Sequence, residues 1–453
     1  VLHSGNPADG HTCPPPDATR SGATAQRIVI ISASVGAGHD GAAAELARRL
    51  ESDGFQVDRH DFLDLLPARL GRLLSAAYHR LLTSAPASYQ RIYATTERTG
   101  RPGLMVRALF RCAERRTLRT ITPGTRAVVS TYPGAGQVLG ALRLRGRLTV
   151  PAITYLTDFS VHPLWVAPGV DLHLAAHPVP AGQARAQGAT AVTVTGPTVA
   201  ARFAPATEPH RRAARARFGL PERSALALLV AGSWGVGPVE QVAAEIRGSG
   251  AAVPVVVCGH NQALARRLRE AGVEHVYGWV EDMPALMSAA DVLVQNAGGL
   301  TSLEAFAAGL PVASYRCIPG HGQTNAAALQ EAGLATWIRE PADLRPALTD
   351  LLHGPLGHQQ RARGLELFRQ GGDGPAWAVA AAAGRTAVLP RAATARRPVR
   401  ATARRPLRLG IPAMAAAVAA TVAFGIGAPL AEAYGDSPAH FAALTRLLDG
   451  DRR

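Results

Sequence analysis

Continuous apolar runs alternate with stretches of helical spacing along most of the chain. Ile28-Val-Ile-Ile31 is a β-branched run of the kind that forms a strand covered on both faces. A Gly-rich turn, Ser34-Val-Gly-Ala-Gly-His39, follows it, and Ala42 to Leu50 has helical composition. Phe55 to His60 reads as a second strand. Residues 68–119 read as helical and Arg-rich. Ala127 to Thr131, Val150 to Thr157, Leu172 to Ala176 and Ala191 to Thr195 read as further strands. Gly196-Pro197 closes this unit, and residues 198–224, polar and punctuated by proline, read as a linker. A second alternation begins with Leu226 to Ala231, the turn Gly232-Ser-Trp-Gly-Val-Gly237 and a helix. It continues through strands at Val253 to Cys258, Val276 to Val280, Val292 to Gln295, Pro311 to Ser314 and Leu334 to Ile338. Strands alternating with helices predict parallel sheets covered on both faces. The expected class is α/β, with two doubly wound, Rossmann-like domains facing each other. They span 27–197 and 225–385, and the last helices are free to return to the first domain.

The ends depart from this pattern. Residues 1–26 are polar and Pro-containing, which predicts disorder, and no charged segment there leads into an apolar core. Residues 386–409 contain a short repeat, Ala393-Thr-Ala-Arg-Arg-Pro-Val-Arg400 and Ala401-Thr-Ala-Arg-Arg-Pro-Leu-Arg408, read as a solvated basic linker. Residues 410–431 carry no charge. As a helix they would reach about 33 Å, enough for a bilayer core. They are mostly Ala and Gly, so a membrane segment and a low-complexity alanine helix stay open, ahead of a C-terminal tail at 432–453.

Charge and composition narrow the chemistry. There are 48 Lys+Arg against 33 Asp+Glu, a formal charge of +15, and every one of those basic residues is Arg. A chain without lysine excludes Schiff-base chemistry and a Walker-type phosphate loop. The basic stretch beside an apolar run points to an anionic membrane surface rather than to nucleic acid, since no aromatics interleave with the arginines. The four cysteines, Cys13, Cys112, Cys258 and Cys317, are too far apart in sequence for a zinc knuckle or a redox pair.

Two stretches carry chemistry. The first is Gly36-Ala-Gly38-His39-Asp-Gly41, formally a dinucleotide-type glycine turn, with Asp58 and Asp61 where a ribose-binding acid would sit. This keeps a nicotinamide-dependent oxidoreductase open. His39 lies at a helix N-terminus, which favours the neutral imidazole and suits a general base. The second is Asn296-Ala-Gly298-Gly299-Leu300-Thr301-Ser302-Leu-Glu304, in which two glycines and a helix N-terminus suit a phosphate and Glu304 suits two ribose hydroxyls. Pro319-Gly-His321-Gly-Gln323-Thr-Asn325 then places three polar side chains on one loop and helix start.

Gly298-Gly299-x-Thr301-x-x-Glu304-Ala-x-Ala-x-Gly309-x-Pro311, followed by Gln323-x-Asn325-Ala, resembles the nucleotide-sugar half of glycosyltransferase family 28. So does Gly278-Trp279-Val280-Glu-Asp-Met283. Ser32-x-Ser34-x-Gly36-x-Gly38-His39 and Thr157-Asp158-Phe159-x-x-His162-x-x-Trp165 resemble one branch of that family, the monogalactosyldiacylglycerol synthases and processive diacylglycerol glucosyltransferases. The chain departs from that branch at Ala37 and at Asp40, where the branch has glycine and a basic or small polar residue. The resemblance covers residues 27 to about 385. It implies a GT-B fold and inverting transfer of a hexose from a UDP-sugar to a lipid hydroxyl, without a metal or other cofactor, at the cytoplasmic face of the membrane, held peripherally or by a single span. By the resemblance, Glu304 holds the ribose, the Gly298 to Ser302 turn with Gly232 and Ser233 the diphosphate, and the backbone beside Trp279 and Val280 the uracil. Gln323 and Asn325 grip the donor sugar. His39 and Asp158 are the candidate bases, and Gly36, Gly38, His162 and Trp165 line the acceptor side. A polyprenyl-lipid N-acetylglucosaminyl transferase shares this donor half, and a non-catalytic membrane-tethered binding module remains a third reading.

Overall fold

The computed structural model describes residues 26–99, 104–369 and 374–384. The expectations for residues 1–25, the basic repeat, the uncharged run at 410–431 and the C-terminal tail lie outside the described residues. Among those described, no helix is long and apolar enough to cross a membrane.

The first lobe runs β1 (Arg27–Ser32), α1 (Ala37–Ser52), β2 (Gln56–Asp61), α2 (Phe62–Leu65), α3 (Leu70–Ser84), α4 (Pro86–Thr99), α5 (Leu104–Thr120), β3 (Thr125–Ser130), α6 (Pro133–Leu144), β4 (Ala152–Tyr155), β5 (Leu172–Ala175), α7 (Pro178–Ala186) and β6 (Val192–Val194). The second runs α8 (Glu208–Arg217), β7 (Leu226–Val230), α9 (Val239–Ser249), β8 (Val253–Val257), α10 (Gln262–Glu270), β9 (His275–Tyr277), α11 (Met283–Ala289), β10 (Val292–Gln295), α12 (Leu300–Ala307), β11 (Val312–Tyr315), α13 (His321–Glu331), β12 (Thr336–Ile338), α14 (Leu344–His353) and α15 (Pro355–Arg369). Helix α16 (Gly374–Ala383) returns to pack on α1 and β3 of the first lobe.

Both sheets are parallel, in the orders β2-β1-β3-β4-β5-β6 and β12-β11-β10-β7-β8-β9. The apolar runs become strands because each is covered on both faces. Ile28, Val29, Ile30 and Ile31 are fully buried, with alternate residues in the cores on opposite sides of the sheet. The strand order reverses between β1 and β3 in one lobe and between β7 and β10 in the other. Parallel sheets open a crevice at such switch points, beyond the carboxyl ends of the strands. The two stretches singled out for chemistry follow β1 and β10, so each lobe offers its crevice at one of them.

The stretch 198–224 is not a bare linker. Glu208 in the first turn and Arg215 and Arg217 in the last match the helix dipole of α8. Asp291 accepts from Arg211 Nη1 at 2.5 Å, from Arg215 Nη2 at 2.8 Å and from the Leu226 amide at 2.8 Å, which fastens α8 to the start of β7. These partners lie 65 to 80 residues apart in sequence, so local reading sees only an Arg-rich polar segment.

Candidate active site

Helix α1 begins at Ala37, earlier than the composition suggests, so Gly38, His39 and Gly41 lie in its first turns. The reason is the opposite lobe. A Cβ at Gly41 would lie 2.5 Å from Leu300 Cδ2, and one at Gly38 would lie 3.7 Å from Leu300 Cβ. The glycines therefore let the N-terminus of α1 approach the N-terminus of α12. Asp40 also sits at that mouth, accepting from Ser32 Oγ at 2.5 Å and Ser34 Oγ at 2.9 Å. Asp58 is paired with Arg27 at 2.6 Å on the sheet edge. The nicotinamide reading of this turn is thereby disfavoured.

His39 is fixed by the ends of two strands. Its Nδ1 lies 2.9 Å from the Thr131 carbonyl oxygen, just beyond β3, and 2.9 Å from Thr157 Oγ1, beyond β4. A carbonyl only accepts, so Nδ1 carries the proton and Nε2 keeps its lone pair. No described group takes Nε2. Tyr132 and Trp165 flank the ring at centroid distances of 5.5 and 6.0 Å.

Asp158 accepts from Trp165 Nε1 at 3.0 Å. Trp165 is 1% exposed. It braces Asp158 and lies beside the His39 ring. His162 is also buried. Its Nδ1 accepts from the Leu164 amide at 3.2 Å and its Nε2 meets Thr96 Oγ1 at 3.0 Å, so it ties the segment after β4 to α4. Burial holds its imidazole down at about 4. Both residues are buried, Trp165 beside the His39 ring and His162 against α4. Gly36, the residue before α1, has open space around it.

In the second lobe, Gly298 (φ 73°) turns the chain from β10 into α12, and Gln295 Oε1 accepts from the Ala297 amide at 2.7 Å and from the Gly298 amide. The next amides, of Gly299, Leu300 and Thr301, have no partner among the described residues, and no side chain caps the helix. Ser302 is fully buried at this N-terminus, and its Oγ has no hydrogen-bond partner. A helix mouth with free amides and a buried unpaired hydroxyl suits an anion. Glu304, one turn on, is half-buried with no paired cation among the described residues, and burial pushes its carboxyl up to about 7 against the opposing charge of Arg202.

The neighbouring turn brings Gly232 (φ 69°) and Ser233 to the same strand ends, with the Ser233 carbonyl accepting from the His260 amide at 2.9 Å. Trp279 is exposed, and its ring stacks on His260 at 4.3 Å and 7°. Val280 packs into the core beside it. Gln323 is exposed. Asn325 is fully buried, its Oδ1 accepting from the Ser160 amide at 2.7 Å and its Nδ2 donating to the Ala297 carbonyl at 2.9 Å. One bond at each end of that amide joins the lobes through Asn325.

Several cleft residues were not singled out from sequence. Tyr89 and Tyr93, one turn apart on α4, reach across to α13. Tyr89 Oη lies 2.8 Å from His321 Nδ1 and Tyr93 Oη 3.1 Å from Thr324 Oγ1, and Gln90 Oε1 accepts from the Gly320 amide. Leu81 and Leu82 of α3 pack with Val236 and Ile318 of the second lobe, while Trp234 meets His79 at 4.9 Å. Leu81 and Leu82 are therefore buried between the lobes, and Leu73 alone of the leucines of α3 is largely exposed. Among the described residues, no three His, Cys, Asp or Glu side chains gather to hold a metal ion.

Residues 39–199 match the family model described as monogalactosyldiacylglycerol (MGDG) synthase, and residues 237–353 match that described as glycosyl transferases group 1. The processive diacylglycerol beta-glucosyltransferase of Bacillus pumilus is 28% identical over 233 residues, 50% of this chain and 60% of that protein. Its counterpart in Bacillus subtilis is 27% identical over 236 residues, with the same shares. The match thus spans about 60% of the length of these curated relatives. Among solved structures, UGT71G1 of Medicago truncatula, complexed with UDP-glucose, superposes with a TM-score of 0.52 at 14% identity, covering 80% of this chain and 99% of that one. A UDP-glucosyltransferase from Polygonum tinctorium gives 0.51 at 15%, covering 79% and 98%.

Gly320 (φ 69°) is where α13 meets α4, and a Cβ there would lie 2.8 Å from Tyr93 Cγ and 3.0 Å from Tyr89 Cε1. Gly320→Ala is expected to cost about 1–3 kcal/mol. Amide exchange should quicken in α4 and α13 and stay unchanged in β8 and β9. The fold is GT-B, and in sequence the chain is similar to the monogalactosyldiacylglycerol synthase and processive diacylglycerol glucosyltransferase branch.

Proposed function

We propose that this protein transfers a hexose, with inversion, from a UDP-sugar to the hydroxyl of a membrane lipid such as diacylglycerol. The observation that carries the reading is the opposition of His39, with its free Nε2, to the uncapped N-terminus of α12, where Gly38 and Gly41 leave no more room than Leu300 takes. A base and an anion site are the two parts that such a displacement needs. The names of the relatives supply the lipid acceptor.

The donor's diphosphate lies against the amides of Gly299, Leu300 and Thr301, with the Ser302 hydroxyl and the Gly232–Ser233 turn beside it. Glu304 takes the ribose hydroxyls, the backbone at Trp279 and Val280 meets the base, and Gln323 borders the hexose. The acceptor hydroxyl gives its proton to His39 Nε2 as its oxygen attacks the anomeric carbon from the face opposite the diphosphate. The bond from that carbon to the diphosphate breaks, and the departing charge falls on the helix mouth, which is oriented before the reaction begins. No step calls for a metal or other cofactor. Association with the membrane is peripheral in this reading, at the cytoplasmic face, with Leu73 and the arginines of α3 toward an anionic surface.

His39→Gln should leave UDP-glucose affinity within about twofold and lower kcat by about 10²–10⁴; an unchanged kcat would contradict the assignment of the base. Glu304 gives a pH signature. Its carboxyl, raised from an ordinary 4.5 to about 7, binds more protons in the folded than in the unfolded state between those values. Its contribution to stability is complete below about 4.5 and is lost as pH rises through about 7. Ribose hydroxyls donate to the ionised form, so UDP-glucose affinity should rise about tenfold from pH 6 to pH 8, with proton release on binding. Calorimetry in two buffers measures this, and Glu304→Gln should flatten the profile.

A further inference from the structure

Thr131 follows β3 and Thr157 follows β4, and the two meet on one atom of a third element, Nδ1 of His39 in α1. The Thr131 carbonyl oxygen and Thr157 Oγ1 each lie 2.9 Å from it. A carbonyl has no proton to give, and an unprotonated Nδ1 would set lone pair against lone pair at this distance, so the proton is on Nδ1. Thr157 Oγ1 is then a second acceptor of the same N–H, and its own hydrogen points elsewhere. Both oxygens are pinned by their strands. The Thr131 amide donates to the Ile31 carbonyl at 3.1 Å, and its Oγ1 donates back to the His39 carbonyl at 3.2 Å. On either side of Thr157, the Leu156 amide donates to the Leu174 carbonyl at 2.9 Å and Asp158 accepts from Trp165 Nε1 at 3.0 Å. No carboxylate among the described residues bonds to Nδ1, so the ring is oriented by two neutral oxygens.

We propose that Thr157 is a positioning residue for the base, its hydroxyl sharing the Nδ1 proton of His39 with the Thr131 carbonyl, so that the ring is held with Nε2 free and its positive charge is met as it forms. This rests on the reading of His39 given above. In the transfer step Nδ1 keeps its proton throughout, and Nε2 gains the one that leaves the acceptor hydroxyl. The ring passes from neutral to cationic, and a cationic N–H makes stronger bonds to both oxygens. Stabilisation that is greater for the charged ring than for the neutral one speeds the step without tightening the donor. Val has nearly the shape of Thr and lacks the hydroxyl. The Thr131 carbonyl keeps the tautomer in Thr157→Val, so what is lost there is one of two acceptors.

The test compares wild type, Thr157→Val, Thr157→Ser, His39→Gln and Thr157→Val combined with His39→Gln. UDP binding is measured by calorimetry, and kcat and KM for UDP-glucose by product mass, with dioleoylglycerol in phosphatidylglycerol vesicles as acceptor. Thr157→Val should lower kcat about tenfold and leave KM and UDP affinity within about twofold. Thr157→Ser keeps the hydroxyl and should recover most of the loss. In the His39→Gln background the Thr157→Val change should alter kcat by less than about twofold, because Thr157 acts through the imidazole. A loss of about tenfold in that background would overturn the proposal, as would a kcat within about twofold of wild type in Thr157→Val alone. Loss of UDP affinity in step with kcat would overturn it by giving Thr157 a structural or donor-side role. Failure of the base assignment shows separately, as an unchanged kcat in His39→Gln. Absence of UDP-glucose binding and transfer in the wild type would overturn the proposed function; either result takes the inference with it.

Discussion

The structure turns on the meeting of two helix N-termini across one cleft. Each lobe sends a helix from its switch point toward the other, and two dipole-positive ends repel unless something negative accompanies them. On the side of α1 the protein supplies Asp40, itself neutralised in part by the Ser32 and Ser34 hydroxyls. On the side of α12 it supplies nothing. Gly299 cannot cap, the next amides are unpaired and the Ser302 hydroxyl is buried without a partner. Buried polar groups are ordinarily satisfied, and a set left open at one helix mouth fits a site shaped around an anion that arrives from outside.

The same contact explains the glycine spacing of the first lobe. Gly38 and Gly41 look like a phosphate turn in one dimension, and in three they are the groove for Leu300. Asymmetry follows: in the proposed reaction the first lobe contributes a base and the second an anion site. The interlobe contacts of α3 and α4 then set the distance between these halves, through Trp234, His321, Thr324 and Asn325.

Much of this was legible in the chain. The strands could be read because parallel strands are apolar on both faces, as with Ile28 to Ile31 and Val292 to Gln295. The Gly298 turn could be read because a left-handed residue before a helix needs glycine, and His39 because it follows a strand and a turn. Resemblance to a known family added the roles. What stayed hidden depends on contacts between distant segments. Arg211 and Arg215 find Asp291, so a polar stretch becomes α8. Asn325 reads as an amide suited to a sugar, and its bonds to the Ser160 amide and the Ala297 carbonyl, which join the lobes, are not visible in sequence. Trp165 and His162 sit in a motif beside Asp158, and only the structure shows that Trp165 donates to Asp158 while His162 ties the segment to α4. His321 was visible as a polar residue on that loop, but its partner Tyr89 lies 232 positions away.

The central claim is that the uncapped start of α12 receives the diphosphate. A crystal structure with UDP bound tests it most directly. The account predicts phosphate oxygens within hydrogen-bonding distance, about 3 Å, of the Gly299, Leu300 or Thr301 amides, with the ribose hydroxyls on Glu304. UDP lodged in the first lobe near Gly36, or elsewhere in the second with those amides left free, would contradict it.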